Sequence, residues 1–493
     1  MADQDNTKKA ELVFLPTPGL IGHLVSTIGF VKRLLDRDDR FSVTVLVIKP
    51  WFASDKYSTE SLAALDSRVR YITLPSVESS SYDLNKSPDL FLDLFVERHK
   101  PYVKEALVTE FLGSNSARLV GLVVDMFCSP MIELANELDI PCYIFYTSSA
   151  AILGLILSLS TWHDQTGLEF EKLNESESVV VPSYSNPVPV SVLPSFLFEK
   201  YGYTISVDRG KKFKRTKGII VNTFADLEPH AMKSLSSDGS IPAVYTVGPI
   251  VDIEGQTHIH AGFSEEGNQR DRIMEWLEAQ PPSSVVFLCF GSVGIFDESQ
   301  LKQIAIGLER SGLRFLWPIR RPKSSNQLAV LADMLPDGFL ERTRDRAMVC
   351  EGWAPQAEVL AHRATGAFLT HCGWNSILES VWCGVPMVTW PMYAEQQINS
   401  FEMVKEAGLA MEMRLDYRKE DYRPVELRLK NDGEIVMADE IEKAVVRVMS
   451  SESEEMRRKV KEMSVKSREV LTENGSSFDS LGRLIRVMLG RIN

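Results

Sequence analysis

Basic residues are the minority among the charged side chains of this 493-residue chain. Its 54 Lys and Arg residues stand against 67 Asp and Glu residues, which gives a formal net charge of −13. A surface that binds nucleic acid or an anionic membrane needs a basic face, so this balance argues against both kinds of partner. An acidic protein can still bind a phosphate ligand when backbone N–H groups at a helix N-terminus hold it.

Cysteine is also scarce, and its spacing excludes the common cysteine-based sites. Six cysteines lie far apart, mostly within apolar runs, and none forms a C-x-x-C pair: Cys128, Cys142, Cys289, Cys350, Cys372 and Cys383. This predicts buried free thiols in a reducing compartment. The amino terminus is polar and then strand-like, unlike a secretory leader. We therefore expect a cytoplasmic protein without stable membrane insertion, and nothing in the sequence requires more than a monomer.

Hydrophobic periodicity predicts an α/β fold with two doubly wound, Rossmann-like domains. Near-continuous apolar runs alternate with helical patterns, which is typical of a parallel sheet covered on both faces. The alternation of apolar runs and helical patterns is interrupted by a polar, Gly-containing stretch and then resumes. We predict a first domain over residues 1–250 and a second over 251–475, with a linker at about 250–283. A final amphipathic helix at 476–493 is expected to pack back on the first domain.

The segment from Trp353 to Gln396 contains the most informative turn. The apolar strand GAFLT is followed by His371-Cys372-Gly373-Trp374-Asn375-Ser376, which opens a helix. In an open α/β sheet, ligands bind at the carboxyl ends of strands, where helix N-termini offer free N–H groups. Glu379 follows Asn375 by one turn, so it shares that helix face and suits a ribose diol. The turn could bind a phosphate-containing ligand, although an ordinary βα turn with Gly, Asn and Ser as capping residues explains it better when the turn is considered alone.

A second turn, PTPGLIGHL, places His23 at the start of a helix. The helix dipole there disfavours the imidazolium form, which predicts a neutral imidazole that can accept a proton near pH 7. Asp125 ends the strand LVGLVVD at the same edge of the predicted sheet. A carboxylate in that place can bind the far imidazole nitrogen and stabilise the protonated ring.

The span from Trp353 to Gln396 resembles the signature box of the plant secondary-product glycosyltransferases, the plant branch of the UDP-glycosyltransferase family. The resemblance covers essentially the full chain and is closest to members acting on flavonoids, other phenolics or terpenoids. It implies a fold of GT-B type, with the active site between two domains. It also implies inverting transfer of glucose from UDP-glucose to an acceptor hydroxyl, with His23 as the base and Asp125 as its partner.

The resemblance implies further roles residue by residue. Trp353 and the Ala354 backbone are expected to contact uracil, and Gln356 and Glu379 the ribose. The rest of the UDP site is expected at the two turns of the second domain: Ser292, His371, Gly373, Asn375 and Ser376. The sugar contacts are expected at four positions: Thr147, Trp374, Glu395 and Gln396. Many relatives carry Asp at the position of Glu395, but both residues present a carboxylate. The expectation that the donor sugar is glucose depends on two residues by analogy with the family: Trp374 and Gln396, the last residue of the box.

An apolar slot for a planar acceptor is expected between two loop-like segments, 79–89 and 183–204. Aromatic residues near these segments or near the predicted site are its candidate lining: Phe127, Phe196, Phe198 and Tyr393. Each of them is equally well explained as ordinary packing.

No metal or other cofactor is expected. Metal-dependent glycosyltransferases carry D-x-D at a strand end, whereas Asp36-Arg37-Asp38 lies in a charge run that ends a helix. Three alternatives remain: the same chemistry with another UDP-sugar, a non-catalytic nucleotide-sugar-binding protein, and a nicotinamide-dependent oxidoreductase. The last would need G-x-G-x-x-G after a strand, and PTPGLIGH has only Gly19 and Gly22.

Overall fold

The computed structural model describes residues 9–51, 66–77, 87–113, 118–166, 170, 173, 176–253, 267–320, 331–417 and 435–490. Part of the predicted linker, at 254–266, and most of the predicted acceptor segment at 79–89 lie outside these residues. The described part of that segment ends in a helix that begins at Pro88, with Ser87 as its N-cap.

The first half of the chain forms one parallel sheet and a small hairpin. Its strands are β1 (Ala10–Leu15), β2 (Phe41–Val47), β3 (Val69–Thr73), β4 (Arg118–Asp125), β5 (Cys142–Tyr146), β6 (Ser178–Val179), β7 (Val188–Pro189), β8 (Gly218–Val221) and β9 (Val244–Thr246). The seven-stranded sheet has the order β3-β2-β1-β4-β5-β8-β9, and β6 pairs with β7 alone. The order reverses between β1 and β4, so the loops after these two strands diverge and leave a crevice.

The second half forms a separate parallel sheet. Its strands are β10 (Val285–Cys289), β11 (Arg314–Ile319), β12 (Ala347–Glu351), β13 (Thr365–Thr370), β14 (Met387–Thr389) and β15 (Ala410–Glu412). The order is β12-β11-β10-β13-β14-β15, and the reversal lies between β10 and β13. The three-residue edge strand β15 was not predicted, because so short a run carries no readable alternation.

Helices cover both sheets. In the first half they are α1 (Ile21–Arg37), α2 (Pro88–Arg98), α3 (Lys100–Ala106), α4 (Met131–Glu137), α5 (Ala150–Thr166), α6 (Lys200–Phe213) and α7 (Pro229–Ser237). In the second half they are α8 (Gly267–Glu278), α9 (Glu298–Ser311), α10 (Phe339–Thr343), α11 (Gln356–Ala361), α12 (Trp374–Cys383), α13 (Gln396–Phe401), α14 (Ala438–Met449), α15 (Glu454–Glu469) and α16 (Ser476–Met488). The predicted loop at 183–204 is wrong in part, since a 3₁₀ turn occupies Ser195–Phe198 and α6 begins at Lys200.

Successive residues of β1 face opposite sides of the first sheet, as the strand period requires. Leu12 and Phe14 belong to the core under α1, whereas Val13 and Leu15 belong to the core on the other face. The C-terminal helix α16 buries its apolar stripe in the α1 layer with four side chains: Leu481, Leu484, Ile485 and Met488. The chain therefore returns to the first sheet after completing the second. The exact boundary between the domains stays a prediction.

All six cysteines are free. Within the part of the chain that the structure describes, no helix combines the length and apolar character that a bilayer crossing requires.

Candidate active site

Three predicted residues meet at the carboxyl edge of the first sheet. His23 lies in the first turn of α1, just after β1, while Asp125 is the last residue of β4 and Thr147 follows β5. Because β1, β4 and β5 are adjacent and parallel, their carboxyl ends bring these side chains together at the reversal of strand order.

The imidazole of His23 is held through one nitrogen. Its Nδ1 lies 2.8 Å from Asp125 Oδ2 and also 2.8 Å from the hydroxyl oxygen of Thr147. A hydrogen on Nδ1 donates to the carboxylate, so this contact selects the tautomer in which Nε2 carries no proton. The His23 side chain is 21% exposed and that of Asp125 is fully buried. The arrangement leaves Nε2 able to accept a proton from a bound hydroxyl.

The second carboxylate oxygen of Asp125 is also held. Oδ1 accepts a hydrogen bond from the Thr17 hydroxyl and one from the Phe127 backbone N–H at 3.1 Å. Thr17 is buried in the turn between β1 and α1. Both oxygens are therefore directed, and the carboxylate cannot rotate away from His23 without losing these bonds.

The pKa of His23 is raised above its usual value of 6.5, which corrects the expectation from the helix dipole. Burial lowers this pKa, but the charge and hydrogen bond of Asp125 outweigh burial, and the charge of Glu395 adds to them. The carboxylates stabilise the imidazolium more than burial and the helix N-terminus disfavour it. His23 is thus a stronger base than its position on the helix indicated.

A second group of predicted residues lies at the reversal point of the second sheet. Ser292 follows β10 and His371 follows β13, and these strands are neighbours. A Cβ atom on Gly291 would lie 2.5 Å from His371 Nε2, and one on Gly373 would lie 2.6 Å from it. Glycine at both positions lets two backbone turns close over the imidazole.

His371 is buried, and its Nδ1 has no hydrogen-bond partner in the described part of the chain. Burial lowers the pKa of His371 to about 4; a hydrogen bond to the Cys289 backbone opposes this shift, and the charge of Arg320 adds to it. The ring is therefore neutral at pH 7. It can take part in a hydrogen bond to a phosphate ligand but brings no positive charge.

The first residues of α12 reach the first domain. The Trp374 indole is buried and its N–H donates to the Asn222 carbonyl oxygen at 2.8 Å. The Asn375 carboxamide donates to the Gly22 carbonyl oxygen at 3.0 Å. The predicted sugar contact of Trp374 and phosphate contact of Asn375 stay predictions. The structure shows that both side chains already connect the two domains.

The residues predicted for ribose form one cluster. Gln356, at the start of α11, donates through Nε2 to Ser376 Oγ at 2.9 Å and to Glu379 Oε2 at 2.7 Å. Burial raises the pKa of Glu379 to about 7, although the Gln356 hydrogen bond opposes the shift. Nearby, Gln269 on α8 donates to the carbonyl oxygen of Trp353.

The residues predicted for the sugar hydroxyls precede and open α13. Glu395 immediately precedes this helix, and Gln396 is its first residue. Gln396 Oε1 accepts hydrogen bonds from the backbone N–H groups of Met392 and Tyr393. Burial raises the pKa of Glu395, while the charge of His23 lowers it, so these residues of different domains act on each other across the cleft.

Two of the four predicted acceptor aromatics lie beside the site. The Phe127 ring is 5.3 Å from the His23 ring, and the Tyr393 ring is 6.5 Å from the His371 ring. Phe196 and Phe198 instead pack along the core of the first domain, where the Phe198 ring is 6.4 Å from Phe170. An acceptor-lining role for these four residues stays a prediction.

Arg320 is a cation beside Ser292 that was not among the predicted residues. It follows β11, and its Nη1 donates to the Ser292 carbonyl oxygen at 3.0 Å. It could have been recognised from the sequence because it directly follows the apolar run of β11, and ligands bind at the carboxyl ends of such strands. Residues 353–396 contain only one Lys or Arg, Arg363. Arg320 therefore adds a positive charge next to Ser292 that this segment does not supply.

The chain is also similar to known proteins. The family model described as UDP-glucoronosyl and UDP-glucosyl transferase matches residues 250–451. The chain is 46% identical to UDP-glycosyltransferase 71K1 of Malus domestica, over 98% of this chain and all of that protein. It is also 46% identical to UDP-glucose flavonoid 3-O-glucosyltransferase 6 of Fragaria ananassa, over 97% and 98% of the two chains.

Among solved structures, the crystal structure of Medicago truncatula UGT71G1 complexed with UDP-glucose superposes with a TM-score of 0.84 at 41% identity. The match covers 97% of this chain and 98% of that one. The chain therefore belongs to the UDP-glycosyltransferase family and has its GT-B fold of two Rossmann-like domains. It is a UDP-sugar-dependent glycosyltransferase.

Proposed function

We propose that this protein transfers glucose from UDP-glucose to a hydroxyl group of a small lipophilic acceptor and forms a β-O-glucoside with inversion. The observation that carries the proposal is the His23–Asp125 pair, in which Nδ1 lies 2.8 Å from Oδ2. Because the proton of the neutral ring is then on Nδ1, Nε2 is unprotonated and can accept a proton. The relatives named for UDP-glucose and for flavonoid glucosylation support the choice of donor and acceptor class. Other phenolics and terpenoids complete the proposed acceptor range.

In the proposed reaction, His23 Nε2 takes the proton of the acceptor hydroxyl. The acceptor oxygen forms a bond to the anomeric carbon as the bond from that carbon to the diphosphate oxygen breaks, and UDP leaves with the electron pair. Asp125 stabilises the imidazolium, which later releases its proton to water. Attack from the side opposite UDP converts an α-linked donor to a β-glucoside.

The leaving diphosphate is proposed to bind at the N-terminus of α12, where backbone N–H groups and the helix dipole stabilise its charge. Arg320, Asn375 and Ser376 are proposed to assist. We propose that no metal takes part; within the described residues, no three His, Cys, Asp or Glu side chains cluster as metal ligands. We also propose that the protein is a cytoplasmic monomer.

The test is UDP release from UDP-glucose with flavonoid, simple phenolic and terpenoid acceptors, in the presence of excess chelator. Acceptor-dependent release and a β-linked product in the NMR spectrum are expected, and His23→Ala is expected to abolish transfer while UDP still binds. Release that needs a divalent metal, or an α-linked product, would contradict the mechanism. Parallel reactions with UDP-galactose, UDP-xylose and UDP-glucuronic acid test the donor sugar.

A further inference from the structure

Arg209 on α6 is a buried arginine whose donors are only partly used. The residue is 6% exposed. Its Nη1 lies 3.4 Å from Asp89 Oδ1, at the long end of hydrogen-bond distances. Its Nε and Nη2 are buried and have no hydrogen-bond partner among the residues that the structure describes. A guanidinium has five N–H donors, so most of its capacity is unfilled here.

Unfilled buried donors are costly, because each has given up its hydrogen bonds to water without replacing them. The cost is greater when the donor belongs to a charged group. One explanation is that the donors are filled when a ligand binds. The place of Arg209 in the fold favours this explanation.

A single aromatic ring, that of Phe127, separates Arg209 from His23. Its guanidinium carbon is 4.8 Å from the centre of the Phe127 ring, and that ring is 5.3 Å from the His23 ring. The base, the aromatic ring and the guanidinium therefore follow one another, with the Phe127 ring next to both His23 and Arg209. An acceptor that presents its hydroxyl to His23 and extends past Phe127 would approach Arg209.

The surrounding charges decide which chemical group Arg209 takes. Asp89 pairs with it, and Asp93 on the same helix α2 is close enough for the two charges to interact. Burial raises the pKa of Asp93, whereas the charges of Arg209 and Lys212 lower it. The positive charge of Arg209 is thus already balanced by a carboxylate. A second full negative charge would be repelled by Asp89, while an uncharged oxygen would fill the free donors without changing the balance.

We propose that Arg209 is a specificity-determining residue that donates hydrogen bonds to an uncharged carbonyl oxygen of the acceptor, beyond the ring that carries the reacting hydroxyl. The proposal rests on the proposed function, since it names the acceptor feature recognised at that same site. The competing view is that Arg209 only braces α6 against α2 through Asp89. A brace affects all acceptors alike, whereas a recognition residue affects only those with the carbonyl.

The experiment compares acceptors that differ in one carbonyl group. Hydroxyflavanones and hydroxyflavans with the hydroxyl at the same ring position are assayed with UDP-glucose, and kcat/KM is measured for each pair. For the wild-type protein we expect at least one pair in which the flavanone is preferred about ten-fold or more, the worth of a hydrogen bond from a charged donor. Arg209→Met is expected to bring that ratio close to one, mainly by raising KM for the flavanone.

Arg457→Met is the matched control. Arg457 is a half-buried arginine in the second domain that donates to the carbonyl oxygens of Gly366 and Val448. Its loss is expected to leave the flavanone to flavan ratio unchanged. Arg209→Lys keeps the charge but not the planar fork, and it is expected to give an intermediate ratio. It also replaces Arg209→Met if that variant does not fold.

The outcomes separate the inference from the proposed function. A wild-type ratio near one in every pair, or equal losses for both acceptors in the Arg209 variants, would overturn the recognition role while glucosyl transfer stands. A larger Arg209-dependent preference for carboxylate-bearing phenolics would overturn the choice of an uncharged oxygen. Failure of the wild type to transfer any UDP-sugar to any of these acceptors or to the wider panel would overturn the proposed function, and the inference with it.

Discussion

The Asn375 carboxamide binds the helix that carries His23. Its Nδ2 donates to the carbonyl oxygen of Gly22, the residue before His23, at 3.0 Å, and its Oδ1 accepts from the Ser26 hydroxyl at 3.1 Å. Asn375 lies in the first turn of α12, where the donor diphosphate is proposed to bind. The base and the leaving-group site are therefore joined directly across the cleft.

Ser26→Ala tests this connection. Losing one hydrogen bond of about 1 kcal/mol is expected to lower kcat about five-fold, because α1 is held less firmly relative to α12. The Kd of UDP, measured by calorimetry, is expected to change less than about two-fold. Ser26 lies on the first domain, whereas UDP is proposed to bind to the second. Ser467→Ala is the control: that buried hydroxyl donates only within α15, to Ser464. Equal effects of the two substitutions on kcat would contradict the connection.

Thr17→Val tests the positioning of Asp125. The substitution keeps the shape of the side chain but removes the hydroxyl that donates to Asp125 Oδ1. We expect kcat to fall about ten-fold, because the carboxylate loses one of the bonds that aim it at His23. Thr17→Ser restores the donor and is expected to recover most of the rate. A Thr17→Ser protein as slow as Thr17→Val would show that restoring the hydroxyl does not restore the rate, which would contradict the role of this hydrogen bond in positioning Asp125.

The pH dependence of kcat/KM tests the pKa of His23. The base works in its neutral form, so activity is lost as pH falls through a pKa that lies above 6.5. Asp125→Asn removes the carboxylate that raises this pKa, so the midpoint is expected to move to lower pH. The rate on the plateau is also expected to fall by about 10² or more, since the tautomer is no longer enforced. An unchanged midpoint in this variant would contradict the assignment.

Proton release on UDP binding tests Glu379. Its pKa of about 7 in the free protein leaves it partly protonated near neutrality. Ribose hydroxyls donate to the ionised carboxylate and thereby lower its pKa, so binding releases a proton and affinity rises with pH. Calorimetry in buffers of different ionisation enthalpy measures this release. Glu379→Gln removes the proton that Glu379 would release, so the difference between the two proteins excludes protons exchanged by the diphosphate itself. Equal proton release in both proteins would contradict the ribose contact.

Much of the fold and the outline of the site could be predicted from the sequence. The apolar runs predicted most of the strands because buried parallel strands are apolar on both faces. The sequence also predicted that His23 and Asp125 lie at the same edge of the sheet, because the carboxyl ends of parallel strands lie together. The strand that ends at Asp125 was predicted at its observed end, whereas β15 and the helical part of 183–204 were missed.

Local features follow from the amino-acid sequence: which segments are strands, where helices begin, and which turns are candidates for ligand binding. The tertiary structure alone decided the direction of the His23 pKa, the Thr17 bond to Asp125, the reach of Asn375 to α1 and the unfilled donors of Arg209. The physical reason is distance along the chain. Periodicity and capping depend on neighbours within a few residues, but the Ser26–Asn375 bond joins residues 349 positions apart. Charges and hydrogen bonds of that kind exist only after the folded chain brings such distant residues together.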